Sequence, residues 1–466
     1  MGDSRKSPPL QPEPASLPEH HVQQALAPLA GKHCTVGLSG GIDSVVLLDA
    51  AARCAPAFGI QLAAVHVHHG LSQDADGWQQ FCIALAAEYG IKCSAHRVAL
   101  CRRGGESLEA LARDARHAVF AQLDTDAVLL AHHLDDQCET FLLRLLRGAG
   151  VQGLGGMRAT RPLNAGHALL VRPLLSVTRQ DILSHAAARG LSHVSDTSNH
   201  DLRFRRNWLR LSVLPQLESV YPAYRRQIEQ SCQHLQEASD LLEQIGCSDF
   251  AGDLGQRWLD LDHLCHLPQA RQRNLLRWFL RQSGISLSAA ELAQLMAQLL
   301  NARPDSQPSL CSGLWWIGRY RNRLCLWPAT RPACPAYSGL LLDDTGPISL
   351  PGWDGSLHLA RSIGKGIARH FLNGQTVSVR PRQGGERLRP SPHGSRRQVK
   401  HLLQEAGIAP VLRQRWPMLW INDQLLAIPG VAVAAEFQAA PDEEGLWPEW
   451  GGDFALQNGN LPLPVR

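Results

Sequence analysis

Residues 34 to 50, Cys-Thr-Val-Gly-Leu-Ser-Gly-Gly-Ile-Asp-Ser-Val-Val-Leu-Leu-Asp-Ala, constrain the fold more than any other stretch. Cys34 to Leu38 is a short apolar run that predicts a buried strand. Ser39, Gly40 and Gly41 break it, and Asp43 to Ala50 reads as the opening of an apolar helix. Two adjacent glycines let the backbone turn tightly with no Cβ in the way. The amides of the turn and of the helix start then face one point, backed by the positive end of the helix dipole. That makes an anion site, to which Ser39 and Ser44 add hydroxyls.

The stretch has no Gly-Lys-Ser/Thr ending and no G-x-G-x-x-G, so it is neither a Walker loop nor a dinucleotide fingerprint. Ser39-Gly40-Gly41-Ile42-Asp43-Ser44 instead resembles the S-G-G-x-D-S loop of the PP-loop ATP pyrophosphatases. Those enzymes cradle the pyrophosphate of ATP and transfer AMP to a substrate oxygen. The competing reading is an ordinary strand–turn–helix with a serine cap. The preceding strand and the Asp-Ser tail favour the ATP reading.

At 466 residues the chain has room for about three domains. No run approaches the ~18 apolar residues of a membrane span, so no membrane partner is expected. Residues 1–20 are rich in Pro, Ser and Glu, lack an apolar signal core, and carry Lys6 where myristoylation needs Ser or Thr. They read as a disordered leader. The twelve cysteines sit singly, with no C-x-x-C, which argues for reduced thiols and a cytoplasmic protein. A net charge of +4 is too mild to identify a partner.

From His21 to about Pro215, apolar β-rich runs alternate with helical patterns. Strands are expected at 34–38, 61–67, 92–100, 126–131 and 168–171. Helices are expected at 43–54, 74–89, 107–122, 135–147 and 179–189. The alternation predicts an α/β class, a Rossmann-like parallel doubly wound domain over 21–216, with ligands at the carboxyl ends of its strands. Residues 217–330 read as mainly helical, at 221–245, 269–282 and 288–300, with no strand-like run before Leu314. Strands follow at 314–320 and 323–327. After a Pro-rich link, 339–466 reads as a smaller α+β domain with one helix near 398–406.

Three clusters carry chemistry. His66, His68 and His69 end the second strand. A metal site would want acidic or cysteine ligands at matching spacing, and a nucleotide-lining strand end fits better. After the fourth strand come His132-His133-Leu134-Asp135-Asp136-Gln137-Cys138-Glu139-Thr140, with Asp135, Asp136 and Glu139 in one helical turn. A helix cap would explain one acid. Three carboxylates beside two histidines suit Mg²⁺, an ammonium or proton transfer. Between Arg380 and Arg415, basic residues including Arg380, Arg387, Arg389, Arg396, Arg397 and Lys400 face only Glu386 and Glu405 in the sequence. Such clustering suits a phosphate backbone, against the alternative of a solvated basic surface. Arg113 and Arg116, one turn apart on a helix, and Arg206 and Arg210, four residues apart, are weaker signals of the same kind.

Together these motifs resemble the tRNA(Ile)-lysidine synthetases, bacterial PP-loop enzymes, from about Ala30 to Phe437. The resemblance is carried by residues 132–140 followed by Leu-Leu-Arg-Leu-Leu-Arg-Gly, by Asp196-Thr197-Ser198-Asn199 with Arg206-Asn207, and by Arg172-Pro173-Leu174-Leu175. The 384–386 and 399–405 segments extend it into the tail. Ser72, His117 and Gly37 depart from the usual arginine, tyrosine and alanine. The resemblance implies ligation of L-lysine to C2 of the wobble cytidine of tRNA(Ile) with a CAU anticodon, through an adenylated base. Its cofactors would be ATP, held by residues 39–44 and His66, and Mg²⁺, with Asp43 positioning the metal. Catalytic roles fall to Asp43, Arg113, His133, Asp136, Glu139 and Arg206. Contacts to tRNA fall to Arg116, Arg210 and the six tail residues named above, and a homodimer is the expected assembly. The sulfur transferases of the same superfamily use paired cysteines, which this chain lacks. A non-catalytic ATP-binding module would not require the carboxylate cluster or the basic tail.

Overall fold

The computed structural model describes residues 16–70, 74–99, 108–163, 168–195, 201–253, 256–300, 309–320, 322–329, 334–342, 346–353 and 355–452. It divides into two compact units, Met1–Leu241 and Leu242–Arg466. The boundary falls inside the segment expected to be helical, so residues 217–241 belong to the first unit and the remainder to the second.

The first unit alternates as expected: α1 (Leu17–Leu26), β1 (His33–Gly37), α2 (Ile42–Cys54), β2 (Gln61–His68), α3 (Ala75–Glu88), β3 (Lys92–Arg97), α4 (Leu108–Phe120), β4 (Ala127–Leu129) and α5 (Leu134–Leu145). Then come α6 (Val151–Leu154), β5 (Thr160–Pro162), β6 (Leu169–Val171) and α7 (Arg179–Arg189). The sheet order is β3-β2-β1-β4-β6-β5. All pairings are parallel except β5 on β6, an antiparallel edge of three residues too short to read from sequence. The chain runs outward from β1 through β2 to β3, then crosses to β4 on the other side. The loops after β1 and β4 therefore flank the switch point where such sheets bind ligands.

Helix α2 holds the glycine loop in place. Val45, Val46, Leu47 and Leu48 are fully buried on successive sides of the helix, in one core with Val36, Leu129 and Ile182. Each such side chain contributes roughly 2 kcal/mol by leaving water. Helix α1 packs on α2, which corrects the leader: Ser16 forms a capping box with Glu19, and Pro18, Glu19, Val22 and Leu26 are buried. Residues 1–15 lie outside the described set, as do Ser72 and the Asp196–Asn199 motif.

Short α8 (Arg205–Trp208), a π-turn (Leu209–Val213) and α9 (Leu214–Val220) precede the long α10 (Tyr224–Asp249). In the second unit, β7 (Trp258–Asp260) appears well before the strands expected from Leu314. It pairs with β10 (Arg323–Pro328), which pairs with β9 (Trp315–Tyr320), and that with β8 (Ser309–Ser312). Helices α11 (Leu261–His266), α12 (Gln269–Gln282) and α13 (Ala289–Leu300) share one apolar core with this sheet. The rest is built of strands: β11 (Tyr337–Leu340), β15 (Val377–Arg380), β18 (Met418–Ile421), β19 (Gln424–Ile428) and β20 (Ala432–Val433) form one sheet. A second sheet holds β12 (Ile348–Leu350), β13 (Gly355–Ile363), β21 (Glu444–Gly452) and β14 (Ile367–Ala368). Between them lie the ribbon β16 (Arg387–Leu388) and β17 (Arg397–Gln398), helix α14 (Val399–Glu405) and the turn α15 (Pro410–Arg413).

Candidate active site

The loop after β1 is tied to itself. Ser44 Oγ donates to Gly41 O at 2.8 Å and accepts from Ser39 N at 3.2 Å, while Ser39 Oγ lies 3.1 Å from Ser44 Oγ. Both hydroxyls therefore shape the turn. Gly40 has φ +87°, and a Cβ there would lie 2.8 Å from Val194 Cγ2 and 3.2 Å from Cys82 Sγ. Glycine is required on both counts. Gly41 begins α2 with no side-chain cap. Ser44 N already donates to Gly41 O at 3.0 Å, and a helix start without a side-chain cap is where an anion can bind.

His66 supports the loop from β2. Its Nδ1 lies 2.9 Å from Leu38 O, and burial lowers its pKa, so a neutral ring donates to that carbonyl. The neighbouring histidines diverge. His68 pairs with Asp76 at 3.1 Å, and His69 is brought down to about 4 by burial and then by Arg116. They do not converge on a metal.

His133 begins α5 and is 1 % exposed. Its Nδ1 accepts from Asp136 N at 3.4 Å, and Asp136 accepts from His133 N at 3.2 Å. This reciprocal cap leaves Nε2 facing Asp136 Oδ2 at 3.5 Å and Asp43 Oδ1 at 3.8 Å. Asp43, at the start of α2, is thereby brought beside the α5 carboxylates. Its Oδ1 is buried and has no hydrogen-bond partner, and burial raises its pKa. A buried oxygen without a proton donor, next to an uncapped helix start, fits a hard cation such as Mg²⁺.

The three α5 acids have different fates. Asp135 accepts from Arg179 N at 2.8 Å and Arg225 Nε at 2.7 Å. Burial would raise its pKa, but those two bonds hold it low. It is a strut between α5, α7 and α10. Glu139 is fully buried between Arg206 Nε and Arg210 Nε, each 2.6 Å from a carboxylate oxygen. Arg210 therefore faces inward, a quarter exposed, where the sequence reading gave it to tRNA. The π-turn begins one residue before it; such turns are frequent at functional sites. Asp136 meets both guanidinium groups only at 3.4 Å. Burial opposes its charge, but His133, Arg206, His132 and Arg210 keep its pKa low.

Sequence reasoning missed the next layer. Arg172 Nε donates to His132 Nδ1 at 3.2 Å, and burial with nearby arginines brings His132 to about 3, a neutral acceptor. Arg172 is itself lowered to about 10 by burial and by Arg161, Arg113 and Arg144. Arg113 and Arg116 are exposed on α4. Their charges, with burial and Arg161, bring His117 to about 4, so it sits as a neutral ring edge-on to Phe120. His132 and Arg172 each carried a signal within their motifs, but not that they meet from 40 residues apart. Alanine at Gly37 would place a Cβ 2.7 Å from Leu130 Cδ2, so that leucine would have to shift to admit it.

Among the described residues, Glu19, Asp49 and His185 have metal-compatible spacing. Their atoms are already bonded. Asp49 takes His185 Nε2 at 3.0 Å and Tyr89 OH at 2.9 Å, His185 Nδ1 meets Ser16 Oγ at 2.8 Å, and Glu19 takes Arg53 at 2.6 Å. This is a structural network behind α2.

Comparison with known proteins decides the family. A tRNA(Ile)-lysidine synthase of Nitrosomonas europaea is 39 % identical over 92 % of this chain and 94 % of its own length. The chain belongs to the tRNA(Ile)-lysidine synthase family. A second family member, from Azoarcus sp., is 39 % identical over 93 % of this chain and 95 % of its own length. The PP-loop domain model matches residues 15–217, the TilS substrate binding domain 259–325 and the TilS substrate C-terminal domain 377–450. Membership makes the chain an ATP-dependent ligase. No described helix is long and apolar enough to cross a membrane.

In the second unit, Arg387 and Lys400 are exposed. The other tail arginines have acidic neighbours, of which the 380–415 window showed only Glu405. Arg380 meets Asp423 at 3.3 Å, Arg389 meets Glu436 at 3.2 Å, Arg396 meets Glu436 at 3.9 Å, and Arg397 meets Glu405.

Proposed function

We propose that the chain ligates L-lysine to C2 of the wobble cytidine of tRNA(Ile) carrying a CAU anticodon, changing the codon read from AUG to AUA. The observation that carries this reading is the meeting of the glycine-walled anion loop with the buried carboxylates of α5, in a chain of this family. ATP phosphates would lie against the amides of residues 39–44. The cytosine O2 attacks the α-phosphorus, an O–P bond forms, and pyrophosphate leaves. The lysine amine then attacks C2, the C2–O2 bond breaks, and AMP departs with the oxygen.

Each residue has a task that fits its surroundings. Asp43 would hold Mg²⁺, which supplies charge neutralisation on the phosphates. His133 is too enclosed to meet a substrate and positions Asp43 and Asp136. Asp136, whose Oδ1 meets the two guanidinium groups only at 3.4 Å, is the carboxylate placed to hold the lysine ammonium and take the proton it must lose before attack. Glu139 aims Arg206 and Arg210, whose charge stabilises the adenylate. Arg113 and Arg116 face the RNA, and the tail cations hold the rest of the tRNA. The test is incorporation of labelled lysine into tRNA(Ile) with ATP present or omitted. ATP-dependent incorporation that drops at least a hundredfold in Asp136→Asn and Arg206→Ala is expected (roughly, from the weight of such groups). Incorporation without ATP, or none at all, rejects the reading.

A further inference from the structure

The second unit contains a cleft of about 590 Å³ that the chemistry above does not use. Its floor is the β9–β10 hairpin, where Trp316 and Trp327 are direct cross-strand partners and so project from one face. Ile317, Leu324 and Leu326 fill the core on the other face. Trp327 is fixed against Tyr320 and Ala409, whereas Trp316 keeps 38 % of its surface open. Opposite stands the turn Pro381-Arg382-Gln383-Gly384. Glu386 shapes this turn by accepting from the amides of Gln383 and Gly384, at 2.6 and 2.8 Å. Its other oxygen lies 3.6 Å from Arg382 Nε, and that buried Nε has no hydrogen-bond partner. Gln414 completes the rim.

We propose that this cleft binds one unpaired nucleotide of the RNA substrate, its base stacked on Trp316 and its phosphate against Arg382. A partly exposed indole, an arginine and two glutamine side chains lining one cleft match what single-stranded nucleic acid offers. Bases within a duplex stack on one another and present no free face to Trp316. An acidic peptide would satisfy Arg382 and leave the indole unused. The cleft is also large enough for a nucleotide, in the size range of small-ligand pockets. The inference rests on the tRNA reading given above.

The test is anisotropy of a short fluorescent single-stranded RNA on the full-length protein, with a duplex of equal length as competitor. Trp316→Ala should weaken binding roughly tenfold, as loss of one base stack does. Trp316→Phe should keep most of the affinity, Arg382→Ala should lower it, and the duplex should compete poorly. Equal binding by all variants, or a duplex that competes as well as the single strand, overturns the proposal. Photo-crosslinking of a 5-iodouridine oligonucleotide to the unsubstituted protein reads the same site without relying on variant folding. An adduct on Trp316 is expected, and adducts confined to other residues overturn it. Lysine incorporation by the unsubstituted protein separates the two readings. Its absence rejects the proposed function, whereas incorporation with RNA binding indifferent to Trp316 and Arg382 rejects the nucleotide cleft alone.

Discussion

Asp43 and Glu139 both hold buried carboxylate oxygens, yet their substitution should move stability in opposite directions. Asp43 has an oxygen with no hydrogen-bond partner and a pKa raised by burial. Its charge costs the metal-free protein stability that ligand binding recovers. Asp43→Asn should therefore stabilise the protein without Mg²⁺ by roughly 1 kcal/mol, seen as a higher melting temperature. Stabilisation by ATP with Mg²⁺ should be lost with it. A variant that melts lower than the unsubstituted protein and still responds to Mg²⁺ would contradict the metal assignment. Glu139 is held by two guanidinium groups at 2.6 Å. Glu139→Gln leaves two arginines facing a neutral amide and should cost about 3 kcal/mol, seen in a denaturant melt, together with lysine incorporation. Both acids were legible as site candidates from their place after a strand. The pairing of Glu139 was not, because Arg206 and Arg210 come from 67 and 71 residues away, just as Arg225 reaches Asp135 from 90 residues away.

The elements show where periodicity suffices. Helix α7 runs Arg179–Arg189 as expected, because Thr178 caps it and Gly190 ends it in the left-handed conformation. Strands β1 and β2 keep their expected starts to within a residue, since their apolar runs are bounded by turns. What escaped is short or rests on distant contacts. Val151–Leu154 forms a helical turn although Gly150, Gly153, Gly155 and Gly156 lie in and around it in the sequence. It is held there by Arg144, which donates to Gly153 O at 2.7 Å and Gly156 O at 2.9 Å. Helix α1 was hidden by its Pro- and Glu-rich start, and depends on the buried network around Asp49. Burial alone would push Asp49 up, but bonds from His185, Tyr89 and Arg189 outweigh it and hold it at about 2. Its folded pKa is thus below its unfolded one, so the stabilisation is complete above the unfolded value and lost as pH falls through about 2. Asp49→Asn should lower stability by roughly 2 kcal/mol near neutral pH. The gap to the unsubstituted protein should close between about pH 4 and pH 2 in acid melts. A gap that stays constant over that range would mean that Asp49 packs α1 by shape and not by charge.

At the scale of the whole molecule, the formal charge of +4 says little, and the arrangement of cations says more. In sequence the tail from Arg380 to Arg415 looked almost unopposed. Folding brings Asp423 onto Arg380 and Glu436 onto Arg389 and Arg396, because β18–β19 and the segment after β20 return beside it. The cations are therefore of two kinds. Arg387 and Lys400 are exposed, so an RNA phosphate gains their charge directly and releases its counterions. Arg389 must give up an existing ion pair, so part of its gain is cancelled. Under the proposed function, tRNA affinity should fall steeply with salt. Arg387→Ala and Lys400→Ala should each reduce the slope of log affinity against log salt by about 1. Arg389→Ala should change it less, because the freed Glu436 was already balanced. ATP binding at Ser39–Ser44 should be the same in all three variants, since the glycine loop belongs to the other unit. Filter binding across a salt series checks this ranking. Equal slopes for Arg387→Ala and Arg389→Ala would show that the ion pairs seen here exchange for phosphate at no cost, and the tail would then act as the uniform basic surface that its sequence suggests.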